Sequence, residues 1–178
     1  ISLFEPQLRE VPRQAPNGAA SSIDPRRVLV LTNQPDLWQM GSPWALFAGG
    51  GATVLSTKAV PFVGAHLLDL GAAEAVIKAV DGIDLEQIDL ILAVEDAAIA
   101  DVPAVFADAA AGVDLASLLF VVARKAYDRL RGGKMSLVTA CLGVTSAKLP
   151  PCTGALAGVV KSLARELPAA RCRAVVTD

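Results

Sequence analysis

The last third of the sequence, residues 135–178, constrains the fold more than any other stretch. A short apolar run at Met135–Ala140 is followed by a loop that ends in Pro150 and Pro151. Apolar residues then recur at helical spacing over Cys152–Leu167, and a second apolar run follows at Cys172–Val176. Strand, loop, helix and strand in this order are typical of a doubly wound sheet. The sequence therefore predicts an α/β fold with a truncated, mostly parallel sheet.

Composition agrees with a sheet that is buried on both faces. The chain is 53% hydrophobic but only 4% aromatic, and alanine, valine and leucine supply the excess. Such a composition suits a parallel sheet or a fragment whose apolar surface is covered by a partner. No run of about eighteen apolar residues is present, so we expect no membrane span. A net charge of −2 without a basic block argues against nucleic acid as a ligand.

The three cysteines, Cys141, Cys152 and Cys172, have no metal-ligand spacing. We interpret them as reduced packing residues, which predicts a cytoplasmic protein.

The first 26 residues differ from the rest of the chain. They hold four prolines and show neither helical nor strand periodicity. We predict a linker over residues 1–26 and one domain over residues 27–178.

The turn after the first predicted strand, Arg27–Thr32, is poorly suited to a nucleotide phosphate. A dinucleotide-binding turn is rich in glycine, because backbone amides must approach the pyrophosphate closely. The segment Asn33–Gly41 has one glycine, and Pro35 and Trp38 lie where the backbone would have to come close. Proline removes a donor and indole occupies space, so we expect no phosphate site here.

Several residues elsewhere could suggest a site, and each has a simpler interpretation. The glycines Gly49–Gly51 are expected to end a helix, where carbonyls rather than amides point outward. His66 is the only histidine and is expected to be a packed or surface residue. Asp69 is interpreted as a strand-end cap. Glu95 and Asp96 could perform acid–base chemistry, but are interpreted as a solvated strand end.

One connection is too short for a standard unit of this fold. The predicted strands Ala52–Ser56 and Ala65–Leu70 are separated by eight residues, 57–64. A parallel crossover usually needs a dozen or more residues and contains a helix. A helix of the standard fold is therefore expected to be missing here. The next elements are predicted at Ala72–Val80, a helix, and at Ile88–Val94, a buried strand.

The strongest helical pattern runs from Asp114, its predicted cap, to Arg131. Its apolar positions follow three-four spacing, and further apolar residues extend to the back of the helix. Such a helix is either enclosed in the core or meets another chain or subdomain. The candidate contact residues are Leu115, Leu118, Leu119, Val122 and Phe120.

The amino-acid sequence of Ala155–Leu167 and Cys172–Val175 resembles that of the corresponding helix and strand of short-chain dehydrogenases/reductases. The likeness is greatest to ketoreductase domains of polyketide and polyunsaturated fatty acid synthases, and it covers roughly Arg27–Asp178. The resemblance implies a truncated Rossmann-like fold. In the related enzymes the helix that matches 114–131 carries subunit or subdomain contacts.

The catalytic residues of that family are missing from the matching positions. The family uses a tyrosine, a lysine four residues later, and a serine about a dozen residues before the tyrosine. The tyrosine position is Leu149, the lysine position is Thr153, and the serine position falls within Ser136–Ala140. The only tyrosine of the sequence is Tyr127, which precedes the strand. We therefore assign no catalytic, cofactor-binding or metal-binding residue to this chain.

Ketoreductases of such synthases are similar to two tandem reductase copies, of which the first lacks the catalytic residues and braces the second. The resemblance implies that this chain is that first, structural subdomain, with NADPH held by an adjoining catalytic half after Asp178. Its partners would be that half, other synthase domains and the acyl carrier protein. Two alternatives remain open. One is a free-standing nucleotide- or acyl-CoA-dependent enzyme that uses Glu95, Asp96 or His66, and the other is a dimerisation module.

Overall fold

A single sheet with flanking helices forms the described part of the chain. A computed structural model describes residues 23–34, 47, 49–57, 65–68, 73–96, 109–142 and 153–176. The strands are β1 Val28–Thr32, β2 Thr53–Ser56, β3 Ala65–Leu67, β4 Leu90–Asp96, β5 Ser136–Leu142 and β6 Arg171–Val176. The α-helices in these ranges are α1 Ala73–Asp81, α2 Ala109–Lys125, α3 Tyr127–Arg131 and α4 Thr153–Glu166. Short 3-10 turns lie at Pro25–Arg27 and Leu85–Gln87.

The strand order is β3-β2-β1-β4-β5-β6, and every pair of neighbours is parallel. The chain therefore winds outward from β1 to β3 and resumes on the other side of β1 with β4. This reversal is the hallmark of a doubly wound sheet, and it opens a crevice at the carboxyl ends of β1 and β4. The predicted fold class is confirmed.

The two faces of the sheet carry different clusters of apolar residues. Alternate side chains of a strand point to opposite faces. On β1, Leu29 and Leu31 join the cluster that contains residues of α1, α2 and α4. Val28 and Val30 join a second cluster, against which Phe47 packs. Strand β1 is buried on both sides, which explains its continuous apolar sequence.

The connection between β2 and β3 is short, as predicted from the sequence. β2 ends at Ser56 and β3 begins at Ala65, and the two strands pair in parallel with Leu55 opposite His66. Eight residues therefore make this crossover, fewer than a helical connection usually needs. β3 itself has only three residues.

The amino ends of the strands and the helix ends beside them are held by basic side chains. The Lys125 ammonium donates to the backbone carbonyls of Val80, Asp81 and Ile83, at 2.6, 2.8 and 2.7 Å. These carbonyls lie at the carboxyl end of α1, where helical carbonyls lack partners and a cation is favourable. Lys125 thus joins α2 to α1.

Two arginines complete this edge. Arg129 donates to the Glu86 carboxylate at 2.5 Å and to the carbonyl of Ile88 at 3.0 Å. The Arg27 guanidinium donates to both carboxylate oxygens of Asp89, at 2.5 and 2.6 Å. These hydrogen bonds lower the pKa of Asp89. Both arginines therefore hold the residues that immediately precede β4.

The long helix differs from its prediction at both ends. It begins at Ala109 rather than at Asp114, so Asp114 lies within α2 and does not cap it. The run Ala109–Ala111 explains the earlier start, because alanine is the best helix former. The helix also breaks at Ala126, whose φ of −80° and ψ of 1° are not helical, and Tyr127 begins α3.

Predicted features outside the described ranges include most of the linker, the turn at 35–41, Asp69 and Cys152. At the end of the predicted linker, the Asp24 carboxylate accepts a hydrogen bond from the Arg26 backbone N–H at 3.0 Å. This contact caps the 3-10 turn that leads into β1. Cys141 is buried, and partial burial of Cys172 raises the pKa of its thiol.

Candidate functional site

The carboxyl edge of the sheet is where an open parallel sheet places a ligand. Thr32 and Ser56 end β1 and β2 there, lie side by side in register, and are fully buried. The Thr32 hydroxyl accepts a hydrogen bond from the Gln34 backbone N–H at 3.1 Å. This amide is one of the first after β1, and it is already engaged by a side chain. A phosphate would have to compete with that contact.

Glu95 is the most unusual residue at this edge. It is the next-to-last residue of β4, pairs in register with Cys141, and is only 8% exposed. The prediction of a solvated strand end is therefore wrong for Glu95. A single carboxyl group beside the crevice is a poor substitute for the backbone amides that hold the phosphates of a dinucleotide, because it is mainly a hydrogen-bond acceptor. Asp96 ends the same strand.

His66 does not approach Glu95. It lies on β3, is exposed, and shares a face with Leu55. β2 and β1 separate β3 from β4, and three strand spacings amount to roughly 14 Å. Direct proton transfer between the two side chains is therefore excluded, and the enzyme alternative would have to use them separately.

An open groove of about 660 Å³ lies beside His66, near the amino ends of β1 and β2. Arg26 and Lys78 line it together with apolar residues of α1 and the following turn. Arg26 is already paired with Asp24 through its side chain, at 2.9 and 3.1 Å. The groove therefore lies away from the carboxyl edge, and one of its cations is neutralised.

The triple glycine ends a helix, as the sequence predicted. Phe47 and Gly49 are helical, and the Ala52 N–H donates to the Phe47 carbonyl at 3.0 Å. Gly51 has a φ of +86°, a left-handed conformation that glycine adopts without steric cost. The chain thus turns from the helix directly into β2, and these glycines present no phosphate loop.

The residues that stand at the family's catalytic positions are separated by the fold. Thr153 is the first residue of α4, near the carboxyl edge of the sheet, whereas Leu149 lies outside the described residues. Tyr127 follows the end of α2 and precedes β5, so it lies near the amino edge. The chain's single tyrosine is therefore at the wrong end of the sheet to serve a site at the carboxyl edge.

The predicted contact residues of α2 fall into two groups. Four of them are fully buried in the cluster between the helices and the sheet: Leu115, Leu118, Leu119 and Val122. These four hold α2 to its own sheet, and burying each leucine contributes about 1.5–3 kcal/mol. Phe120 points the other way and is 61% exposed. Of the five predicted contact residues, only Phe120 is therefore exposed for contact with a partner.

No group of three or more metal-ligating side chains is found among the described residues. None of the helices described is long and apolar enough to cross a membrane.

Comparison with known proteins supports the fold. No protein-family model matches the chain, and no curated protein matches it. Among solved structures it is similar to a C-terminal deletion mutant of the aldohexose dehydrogenase of Thermoplasma acidophilum. The TM-score is 0.52 with 21% identity, over 85% of this chain and 65% of that chain. The chain thus spans about two-thirds of that neighbour's length, and the likeness shows that it has a short-chain-dehydrogenase-like, Rossmann-type fold.

Proposed function

We propose that this chain is a non-catalytic structural subdomain that braces an NADPH-dependent β-ketoacyl reductase half of a polyketide or fatty acid synthase. The proposal rests on one observation: the chain has a dehydrogenase-like sheet, but the described residues at the carboxyl edge of that sheet do not include the expected catalytic residues. The sheet is that of a dehydrogenase, but the crevice has a buried carboxylate at Glu95 and its single tyrosine lies at the opposite edge. In this proposal NADPH and the acyl substrate are bound by the partner half, and the chain supplies a rigid surface.

Phe120 offers the partner a contact of the expected chemistry. Large exposed aromatic residues are enriched at the centre of protein interfaces. Tyr127, the first residue of α3, is also exposed. The four buried residues of α2 hold this surface in place from behind.

The decisive experiment compares NADPH binding by the chain alone and by a longer polypeptide that carries both halves. We expect no saturable change in NADPH fluorescence with the chain alone. The longer polypeptide should bind NADPH and reduce a β-ketoacyl thioester. Saturable binding by the chain alone would contradict the proposal.

Phe120→Glu in the longer polypeptide should lower reductase activity roughly tenfold, because it places a charge at a buried contact. Ile77→Glu is the matched control, since Ile77 is a large exposed apolar residue on α1. Circular dichroism of both variants checks that the fold is kept. Equal activity of the two variants would show that Phe120 contacts no partner.

The burial of Glu95 favours one second candidate, an enzyme with an atypical acid–base site. That candidate predicts that the chain alone binds a nucleotide or coenzyme A. It also predicts that Glu95→Gln removes turnover while leaving the melting temperature nearly unchanged. The same titration, repeated with coenzyme A, separates the two proposals.

A further inference from the structure

The groove beside His66 lies between α1 and the strands β2 and β3. Its volume is about 660 Å³, and small residues line the wall that α1 provides. They are Ala75, Ala79 and, just after the helix, Gly82. Because none of these residues has a long side chain, the helix does not fill the space beside the strands. A volume of this size is within the range of small-molecule sites.

Two polar side chains of the strands line the same groove, those of Thr53 and His66. Leu55 is in register with His66, so Thr53, two residues before Leu55, points to the same face of the sheet as His66. Leu55 belongs to the apolar cluster that also contains residues of α1. A hydroxyl group and an imidazole therefore lie on the side of the sheet where α1 packs, and both can form hydrogen bonds with a ligand.

Among the charged residues that line the groove, Lys78 is the one that is not already engaged. Arg26 is paired with Asp24, and the Asp84 carboxylate accepts a hydrogen bond from the Glu86 backbone N–H at 3.0 Å. The Lys78 ammonium forms no ion pair or hydrogen bond with any described residue. Its three N–H donors are therefore available to an anion.

The rest of the lining is largely apolar. Ile83 and Ile88 contribute to it, and Ile88 is only 2% exposed. A ligand that fills the groove must therefore combine an apolar body with one polar end. Asp84 limits the charge of that end, because its carboxylate would repel a second negative charge. The lining thus favours a ligand with a single negative charge.

We propose that this groove binds a small organic carboxylate. The carboxylate pairs with Lys78, and the apolar body packs against Ala79, Ile83 and Ile88. A charge-assisted hydrogen bond is roughly twice as strong as a neutral one, so the groove distinguishes a carboxylate from a neutral molecule of the same shape. The inference goes beyond the proposed function, because the groove lies at the amino edge and does not depend on a reductase partner.

The test is a titration of the full chain with phenylacetate, followed through the backbone amide shifts by NMR. We expect saturable shifts at His66, Ala79 and Ile83, with a dissociation constant on the order of 1 mM. Phenylacetamide has the same shape without the charge, and acetate has the charge without the apolar body. Both should bind at least roughly tenfold more weakly.

Lys78→Gln should weaken phenylacetate binding roughly tenfold and leave the affinity for phenylacetamide unchanged, because it removes the cation and keeps the groove. Lys161→Gln removes an equal charge from α4 and should change either affinity less than about twofold. Ala75→Leu narrows the groove at an exposed position of α1 and should weaken the binding of both ligands. Circular dichroism checks that the three variants keep the fold.

Three results would overturn the proposal. Equal affinity for phenylacetate and phenylacetamide would show that the groove does not recognise the negative charge. Unchanged phenylacetate affinity in Lys78→Gln would place the anion on another cation. The absence of saturable shifts at the lining residues would show that the groove holds no ligand of this class.

Discussion

The two edges of the sheet use polar side chains in opposite ways. At the amino edge, basic side chains donate hydrogen bonds to the backbone or to a carboxylate of another element; they belong to Lys125, Arg129 and Arg27. At the carboxyl edge the polar residues Thr32 and Glu95 are buried. Dehydrogenase-like folds place their ligands at the carboxyl edge. Among the described residues, the charged contacts named here lie at the other edge, where they join elements of the fold.

The contacts that hold the fold together are therefore different from the residues at the edge where a ligand would bind. A parallel sheet needs its strand starts and helix ends to be held in register, whatever happens at the crevice. The contacts of Lys125 and Arg27 do this for α1, β1 and β4. These contacts stabilise the fold independently of any ligand at the carboxyl edge.

The largest effect on the amino edge is expected from Lys125→Met. The substitution removes three charge-assisted hydrogen bonds and leaves the carbonyls at the end of α1 without their donor. We expect the free energy of unfolding to fall by about 2–3 kcal/mol, measured by urea denaturation. Lys161→Met is the control, since Lys161 is exposed on α4. A loss below 0.5 kcal/mol, on the order of a surface substitution, would mean that the carbonyls are served equally well by water.

Arg129→Met should have an intermediate effect. The Arg129 side chain is only 15% exposed, and it donates to the Ile88 carbonyl as well as to Glu86. Its loss should cost about 1–2 kcal/mol, because a partly buried carbonyl loses a charged donor. Glu86→Gln should cost less than about 0.5 kcal/mol, since its carboxylate is mostly in water. If both substitutions cost the same, the ion pair rather than the backbone contact is what stabilises this edge.

The smallest effect is expected for Asp89, whose ionisation makes the free energy of unfolding depend on pH. Hydrogen bonding from Arg27 lowers the pKa of Asp89 in the folded protein, so the folded state favours the charged carboxylate. The resulting stability is present above the ordinary pKa of aspartate and is lost as the pH falls through the lowered value, below about pH 4. Because the pair is half exposed, it should amount to less than about 1 kcal/mol. Asp89→Asn should remove this part of the pH dependence, as measured by urea midpoints between neutral and acidic pH. An unchanged profile would contradict the assignment.

The strands and helices could be predicted because they carry local patterns. The apolar runs near β1, β4 and β5 have the length of strands, and α4 shows helical spacing within two residues of its observed ends. The start of α2 was misplaced because an aspartate that resembles a cap follows an alanine run that is itself helical. The break at Ala126 has no local sequence cue that we can identify.

The edge contacts could not be predicted, because their partners are distant in sequence. Lys125 contacts carbonyls more than forty residues earlier, and Arg27 pairs with a residue 62 positions later. Glu95 shows the same limit: its burial depends on the elements that cover the end of β4, and the sequence shows only a carboxylate after an apolar run.

Lys125 also illustrates a constraint of hydrogen-bond valence. An ammonium group has three N–H donors, and Lys125 uses them on three carbonyls. The planar fork of arginine points its donors in different directions, so an equal charge at this position would not satisfy the same three acceptors. Since no fourth donor exists, this cation has no hydrogen bond left to offer an anion. All of its N–H donors bind carbonyls at the carboxyl end of α1 and in the turn that follows.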